Sequence, residues 1–406
     1  MRGGAASARR GLAAVPRGVW ALGLVSMCMD LSSELIHSLL PLYMAVGLGA
    51  SAFVIGIVEG VAEALALVVK VFSGVISDVF RRRKPLVLAG YGLAAVSKLA
   101  FPLATALEWV VAARFADRVG KGIRGAPRDA LIADITPADL RGTSFGLRQA
   151  LDTVGGVGGP LLAVAGMAYF AGDFHSVFWV AVLPAALCVL VLIFGVQEPE
   201  RADAGEPRRA GLRAADVRRL GRAYAVVVAV AAVLTLARFS EAFLVLRAQD
   251  VGVPVASAPW VMVVMSLVYA LVAYPAGAAA DRGLGPRLLW SGFVALIAAD
   301  LVLARAGDAG TVYAGAALWG LHMGLTQGLL AALVAAAAPA DLRGTAFGVF
   351  NLVCGVALLL ASGLAGWLWQ YVGPAATFYA GAGLTAVALA VLLLRGGDVG
   401  KLATPA

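Results

Sequence analysis

The chain has 406 residues, of which 61% are hydrophobic and only 14% charged, with a mean hydropathy of +0.89. An ordinary soluble enzyme, in which about 25% of residues are charged, and a disordered chain are both excluded. Cys28, Cys188 and Cys354 stand far apart inside apolar runs, which excludes a disulfide framework and a CxxC metal site.

A membrane-crossing helix needs about 20 mostly apolar residues. Twelve segments satisfy that length: 19–46, 51–77, 86–106, 109–134, 144–170, 176–197, 223–246, 257–280, 286–304, 311–337, 345–369 and 374–394. Each is too long and too continuously apolar for a barrel strand of about 10 residues. Helices are expected, because the bilayer offers no partners to loose backbone groups. The basic N-terminus followed by an apolar run from Val19 looks like a signal peptide. The run is too long and polar-studded for one, so it reads as an uncleaved first span.

Ionisable residues at bilayer depth cost a few kcal/mol and are functional candidates by default. In span one, Asp30, Ser33, Glu34 and His37 follow the i, i+3, i+4, i+7 spacing of one helix face, ahead of the bend-prone Leu40-Pro41. They have no cation in their own helix, so they read as proton carriers or substrate contacts; the competing reading pairs them with arginines of span four. In span two, Glu59, Glu63 and Lys70 share a face, and Lys70 is a possible partner for Glu63. Lys98 in span three and Asp300 in span nine stand alone near span ends and read as snorkelling groups.

Span four is the most charged. Asp117, Lys121, Arg124 and Arg128 mark one face, with Arg114, Arg118 and Asp129 near a second. Such a helix must line water, pack against the acidic stripes or lie partly beyond the membrane. Span five adds Arg148 and Asp152 at i, i+4, and span seven adds Arg238 and Glu241 at i, i+3. These pairs, like Asp117 with Lys121, read first as internally neutralised structure. Span ten carries only His322 and Gln327 as comparable cues, so the buried charge belongs mainly to one half.

With the N-terminus inside, 21 of the 32 basic residues fall on one side of the twelve spans, only Arg247 and Arg305 fall on the other, and nine lie within spans. Both termini are therefore expected in the cytoplasm. The net charge of +8 reads as a topology signal and not as a nucleic-acid surface.

The polar stretch between the sixth and seventh spans separates related halves. Pro137-Ala-Asp-Leu-Arg-Gly-Thr-Ser-Phe-Gly146 recurs as Pro339-Ala-Asp-Leu-Arg-Gly-Thr-Ala-Phe-Gly348, and Gly74-Val-Ile-Ser-Asp78 as Gly277-Ala-Ala-Ala-Asp281. Ser33-Glu34 is matched by Ser240-Glu241. A duplicated six-helix unit follows: an N-terminal half over 1–197, a cytoplasmic linker over 198–222 and a C-terminal half over 223–406.

On these motifs the sequence resembles the major facilitator superfamily over nearly its whole length. Gly74-x-x-x-Asp78 followed by Arg81 to Lys84 looks like that superfamily's loop motif between spans two and three, though Val79 and Phe80 replace the expected Arg and Gly. Gly277-x-x-x-Asp281-Arg282 is its second copy. Arg114 through Gly120 looks like the family's Arg-and-glycine motif of span four, with Arg118 at its usual middle Gly. Gly146, Gly155, Gly159 and Pro160 have the span-five spacing associated with exporters, although Ala163 and Val164 replace its closing Gly pair. Glycine at such spacing lets helix backbones approach closely.

The resemblance implies an all-α membrane protein of twelve spans in two pseudo-symmetric halves. It also implies that spans one, four, seven and ten line a central cavity. Asp78 and Asp281 with the loop arginines would then latch the halves; the competing reading leaves Arg81 to Lys84 on lipid headgroups. The expected activity is proton-coupled efflux of a small solute by alternating access. Asp30 and Glu34 lead as carriers, with Glu241 and Glu59 behind and Arg114, Arg118 and Lys121 as competing partners. The basic span four suits an anion or zwitterion, whereas the acidic stripe suits a cation, including a divalent metal. Trp20, Trp260, Trp319 and Tyr269 suit an aromatic drug or an interfacial belt. Divalent-metal export and a transport-inactive receptor are the alternatives.

No GxSxG, P-loop, HExxH or Rossmann pattern falls on a suitable strand or loop, and Gly155 to Gly159 lies inside an apolar span with no GK[ST] after it. Neither an enzyme nor a cofactor or resident metal is expected. The expected partners are the solute, protons and the lipid bilayer, for a monomer in the cell's inner membrane.

Overall fold

The computed structural model describes residues 14–80, 82–198, 214–339 and 342–394. Arg81 and the greater part of the central linker lie outside them, as do the side chains of Asp78 and Asp281.

The described chain is helical, and twelve spans follow one another. Six precede the linker: α1 (Arg17–Leu42), α2 (Ala52–Phe80), α3 (Lys84–Leu103), α4 (Leu107–Ile135), α5 (Arg141–Tyr169) and α6 (Phe174–Gly195). The seventh is in two pieces, α7a (Gly221–Ala237) and α7b (Ala242–Asp250). The last five are α8 (Trp260–Ala279), α9 (Gly285–Ala304), α10 (Ala309–Ala337), α11 (Arg343–Tyr371) and α12 (Pro374–Leu394). By length and hydropathy 10 of the twelve meet a strict criterion for crossing a membrane. Charge keeps α4 from meeting it, and α12 is apolar over Pro374–Ala390.

Local sequence sets many of the ends. Asp173 caps α6, its carboxylate accepting hydrogen bonds from the backbone N–H groups of His175 and Ser176. Asp308 and Thr311 form a reciprocal capping box at the start of α10. Pro41 lies inside α1, and the chain continues into a π-helical turn over Tyr43–Gly47. The repeated motif behaves alike in both halves, since α5 starts at Arg141 and α11 at Arg343.

Two compact units are formed, Met1–His37 with Val68–Ala210, and Ser38–Leu67 with Gly211–Ala406. The second unit thus contains the hairpin of α1 and α2. There α2 crosses α11 at glycines: a Cβ on Gly56 would lie 2.3 Å from the Ser362 carbonyl oxygen, and one on Gly366 2.6 Å from that of Ala52. In the first unit α3 crosses α4 the same way, and a Cβ on Gly120 would lie 2.7 Å from the Gly90 carbonyl oxygen. Lipid gives helices no hydrophobic drive to associate, so backbone contact of this kind supplies the packing.

Three expectations need correction. Span seven is interrupted at Arg238, whose ψ of 87° ends α7a. No Pro or Gly marks the break. It is held from elsewhere: the Ser240 N–H donates to Ser362 Oγ at 3.2 Å, and the Ala242 N–H to Ser240 Oγ at 3.3 Å. Lys98 and Asp300 do not snorkel, being 1% and 0% exposed. The motif glycines are not uniformly close-packed, since nothing lies within 4 Å of a Cβ built on Gly146 or Gly277, and Gly74 meets only Ala126 at 3.4 Å.

Candidate functional site

The charged face of the first unit is assembled from α1, α2, α3, α4 and α5. Its foundation is the contact of α1 with α5. A Cβ on Gly155 would lie 2.9 Å from Asp30 Cβ and 2.6 Å from the Met27 carbonyl oxygen. One on Gly159 would lie 2.7 Å from Glu34 Cβ and 2.8 Å from the Leu35 nitrogen. The span-five glycines therefore seat the two carboxylate-bearing residues of span one. Pro160 is buried directly after them.

On α1, Glu34 Oε2 meets His37 Nδ1 at 3.3 Å. His37 is thus the internal partner that sequence reasoning did not assign. Arg118 and Lys121 of α4 lie within electrostatic reach of Glu34. Asp30 is half-buried, and among the described residues it makes neither a hydrogen bond nor an ion pair. Asp152, Arg124, Lys121 and Glu34 are the charges within its reach.

Span four presents two charged layers. In the buried one, Asp117 Oδ1 accepts from Lys98 Nζ at 2.7 Å and Oδ2 faces Arg118 Nε at 3.3 Å. Arg114, Asp117, Arg118 and Arg124 are all less than 5% exposed. Asp117 therefore pairs across to span three and along to its neighbour, and not with Lys121 as the i, i+4 spacing predicts. A carboxylate this deep is held by cations with suitable geometry or not at all. Arg124, also buried, stacks on Tyr91 with its Cζ 4.6 Å from the ring centre, at the edge of the outer layer. Arg128 donates to Ser26 Oγ at 2.9 Å and to Tyr91 Oη at 3.4 Å, and its Nη2 lies 3.1 Å from Asp129 Oδ1. Lys121 is exposed with no ion-pair partner among the described residues.

Arg148 and Asp152 of α5 form the expected i, i+4 ion pair, and Arg148 also approaches Asp129 at 3.9 Å. The stem of Lys70 lies 3.6 Å from the Cβ position of Gly125, and Asp129 is the opposite charge within its reach. Ser73 Oγ donates to the Gly122 carbonyl at 2.9 Å. Ser26 and Tyr91 carry no charge, so no charge pattern pointed to them; polarity within an apolar span was the available signal.

Two of the loop cations, Arg83 and Lys84, have partners in the first unit. Arg83 pairs with Asp134 at 3.0 Å, and its N–H donates to the Glu198 carboxylate. Lys84 Nζ donates to the carbonyls of Ile193 and Val196 at 3.1 and 2.6 Å. These contacts tie spans three, four and six together. Arg282 is exposed.

The remaining candidates lie in the second unit. Glu59 is buried and Glu63 half-buried on the part of α2 that packs against α11. Arg238 and Glu241 flank the break in span seven and form no ion pair with each other among the described residues, because the helical spacing that would join them is absent. Beside the break, Phe239 packs against Phe243 at 5.5 Å, Trp319 at 5.4 Å and Phe378 at 5.5 Å. Trp319 is fully buried in this cluster, whereas Trp20 and Trp260 are exposed. His322 is buried with Nδ1 2.9 Å from the Gly292 carbonyl. Among the described residues no three His, Cys, Asp or Glu side chains converge as metal ligands do.

The Major Facilitator Superfamily profile matches residues 22–247 and 226–405. An uncharacterised MFS-type transporter of Methanocaldococcus jannaschii is 30% identical over 389 residues, 93% of this chain and 94% of that protein. The inner membrane transport protein YajR of Escherichia coli is 24% identical, over 92% of this chain and 82% of its own. Among solved structures, a peptide transporter POT in complex with sulfate superposes with a TM-score of 0.78 at 16% identity, covering 95% of this chain and 96% of that one. The nucleoside transporter NupG does so with a TM-score of 0.75 at 14% identity, covering 93% and 98%. Identities that low carry the fold alone. The chain is an integral membrane protein and belongs to the Major Facilitator Superfamily of transporters.

Proposed function

We propose that this transporter exports a small solute in exchange for protons, by alternating access of its two six-helix halves, 1–197 and 223–406, about the 198–222 linker. The observation that carries the reading is Asp30. It is a carboxylate in a membrane span, without an ion-pair partner among the described residues, seated on Gly155 and within reach of Lys121 and Arg124. A carboxylate that gains and loses a cation as the cavity changes sides takes up and releases a proton. Glu34 is the second carrier, already engaged by His37.

Export is supported by the span-five glycines, which bring that helix against both carriers. The distribution of basic residues supports cytoplasmic termini and a place in the cell's inner membrane, and the monomer is taken as the working unit. The deep Lys98–Asp117–Arg118 set supports a structural role for that layer of span four, leaving Lys121 and Arg124 facing the carriers.

The test has two stages. A growth screen of a deletion strain against drugs, organic acids and metals supplies the solute. Flux of that solute in proteoliposomes is then measured with and without a pH gradient. Asp30→Asn is expected to keep solute exchange and lose its gradient dependence. Gradient dependence equal to that of the unmodified protein in both Asp30→Asn and Glu34→Gln would refute proton coupling at this site, and binding without flux would turn the reading to a receptor.

A further inference from the structure

Asp300 lies near the end of α9, in the second unit. It is 0% exposed, and neither carboxylate oxygen has a hydrogen-bond partner among the described residues. Its place is made by a glycine. A Cβ on Gly381 of α12 would stand 2.6 Å from Asp300 Oδ2, 3.1 Å from Phe239 Cε1 and 3.2 Å from the Ala237 carbonyl oxygen. Ala237 is the last residue of α7a, so its carbonyl faces the break without the helical donor that a continuous span would supply. The carboxyl group and the broken end of span seven thus converge on one glycine.

The charged and titratable groups on the surrounding elements are placed elsewhere. Arg247 holds the carbonyls of Leu303, Ala304 and Ala306 and pairs with Asp250. Arg305 lies over the Tyr379 ring at 5.8 Å. His322 is turned to the Gly292 carbonyl, and Arg238 lies within electrostatic reach of His322. Glu241 stands at the far side of the break. Among the described residues none of them forms an ion pair with Asp300.

An ionised carboxylate needs donors or a cation, and this one has neither. A protonated one is itself a donor, and it shares the Gly381 contact with the Ala237 carbonyl, the last of α7a. We propose that Asp300 is a proton-binding site of the C-terminal half, and that its proton holds the break in span seven in the form seen here. Loss of the proton then requires water or Arg238 to reach the carboxyl, which displaces Phe239 and the end of α7a. This site is independent of the Asp30 reading, since it uses no residue of the first unit.

The test is infrared spectroscopy of the purified full chain carrying carboxyl-labelled aspartate, titrated across the pH range the protein tolerates. A neutral-acid carbonyl band is expected that disappears as pH rises and is absent from Asp300→Asn. Tryptophan emission, through the contact of Trp319 with Phe239, is expected to change over the same pH interval and to become flat in that variant. Gly381→Ala, read by the same band, is expected to shift its frequency; it serves also if Asp300→Asn does not fold. A titrating band that survives in Asp300→Asn, an Asp300 band unchanged at every pH, or an unshifted band in Gly381→Ala would overturn the proposal. None of these readouts needs a transported solute, so they stand or fall apart from flux.

Discussion

Replacing Gly159 with alanine puts one methyl group into the contact that carries both acidic residues of span one. That methyl would meet Glu34 Cβ at 2.7 Å, the Leu35 nitrogen at 2.8 Å and the Leu31 carbonyl oxygen at 2.9 Å, where ordinary contact begins near 3.4 Å. The shortfall is roughly 0.5–0.7 Å, and every atom involved is backbone or Cβ, so no side chain can swing away. The helices must separate, at about 1–3 kcal/mol for overpacking of this kind. Two internal controls isolate the contact from helix propensity, because a Cβ on Gly146 or Gly156 of the same helix meets nothing within 4 Å. Alanine at those positions is expected to leave stability unchanged or raise it by up to about 1 kcal/mol. Thermal unfolding of the three purified variants in one detergent gives the ranking, and solute flux gives its functional counterpart. If Gly159→Ala proves as stable and as active as Gly146→Ala, the reasoning from the α1–α5 contact fails.

Three further outcomes are expected. Lys98→Met leaves Asp117 buried with Arg118 as its ion-pair partner at 3.3 Å, and a loss of about 3–5 kcal/mol is expected in denaturant or thermal unfolding, with Lys98→Met/Asp117→Leu recovering part of it. Arg247→Lys is expected to destabilise the end of α9 by about 1–3 kcal/mol, because a point ammonium cannot hold three carbonyls as the guanidinium fork does; hydrogen exchange at Leu303 to Ala306 checks it. At Asp173, between spans five and six, the Ser176 hydroxyl and two backbone N–H groups hold the carboxyl below the usual aspartate value. Its contribution is therefore complete above the ordinary aspartate range and lost as pH falls through the lowered value. Asp173→Asn should remove that part of the acid-side slope in a pH series of melting temperatures.

The twelve spans were legible because a bilayer imposes a length on apolar segments, and the 137–146 and 339–348 repeat made the duplication visible without any structure. The charge of span four was legible as charge that must be hidden. Its partners were not, since Lys98 in another span competes with Lys121 for Asp117, and only the α3–α4 crossing at Gly90 and Gly120 decides between them. The break in span seven had no local sign: Arg238-Phe-Ser-Glu241 contains neither Pro nor Gly, and the Ser362 hydroxyl that supports it lies 122 residues away. Asp300 was visible as an acid near a span end, where reach to water is the default. That default fails when a neighbouring helix presents a glycine, which one sequence read span by span does not reveal.

The duplication boundary in the gene and the boundary between compact bodies do not coincide. The stretch Ser38–Leu67 is encoded with the first six spans yet packs as part of the second body, through Gly56, Gly60 and Gly366. Neither half is thereby a self-sufficient module: a fragment ending at the linker would present the glycine-studded face of α2 to lipid, and its complement would leave the matching groove of α11 uncovered. The chain passes from one body to the other at His37–Ser38 and again at Leu67–Val68, within α1 and α2 and not in loops.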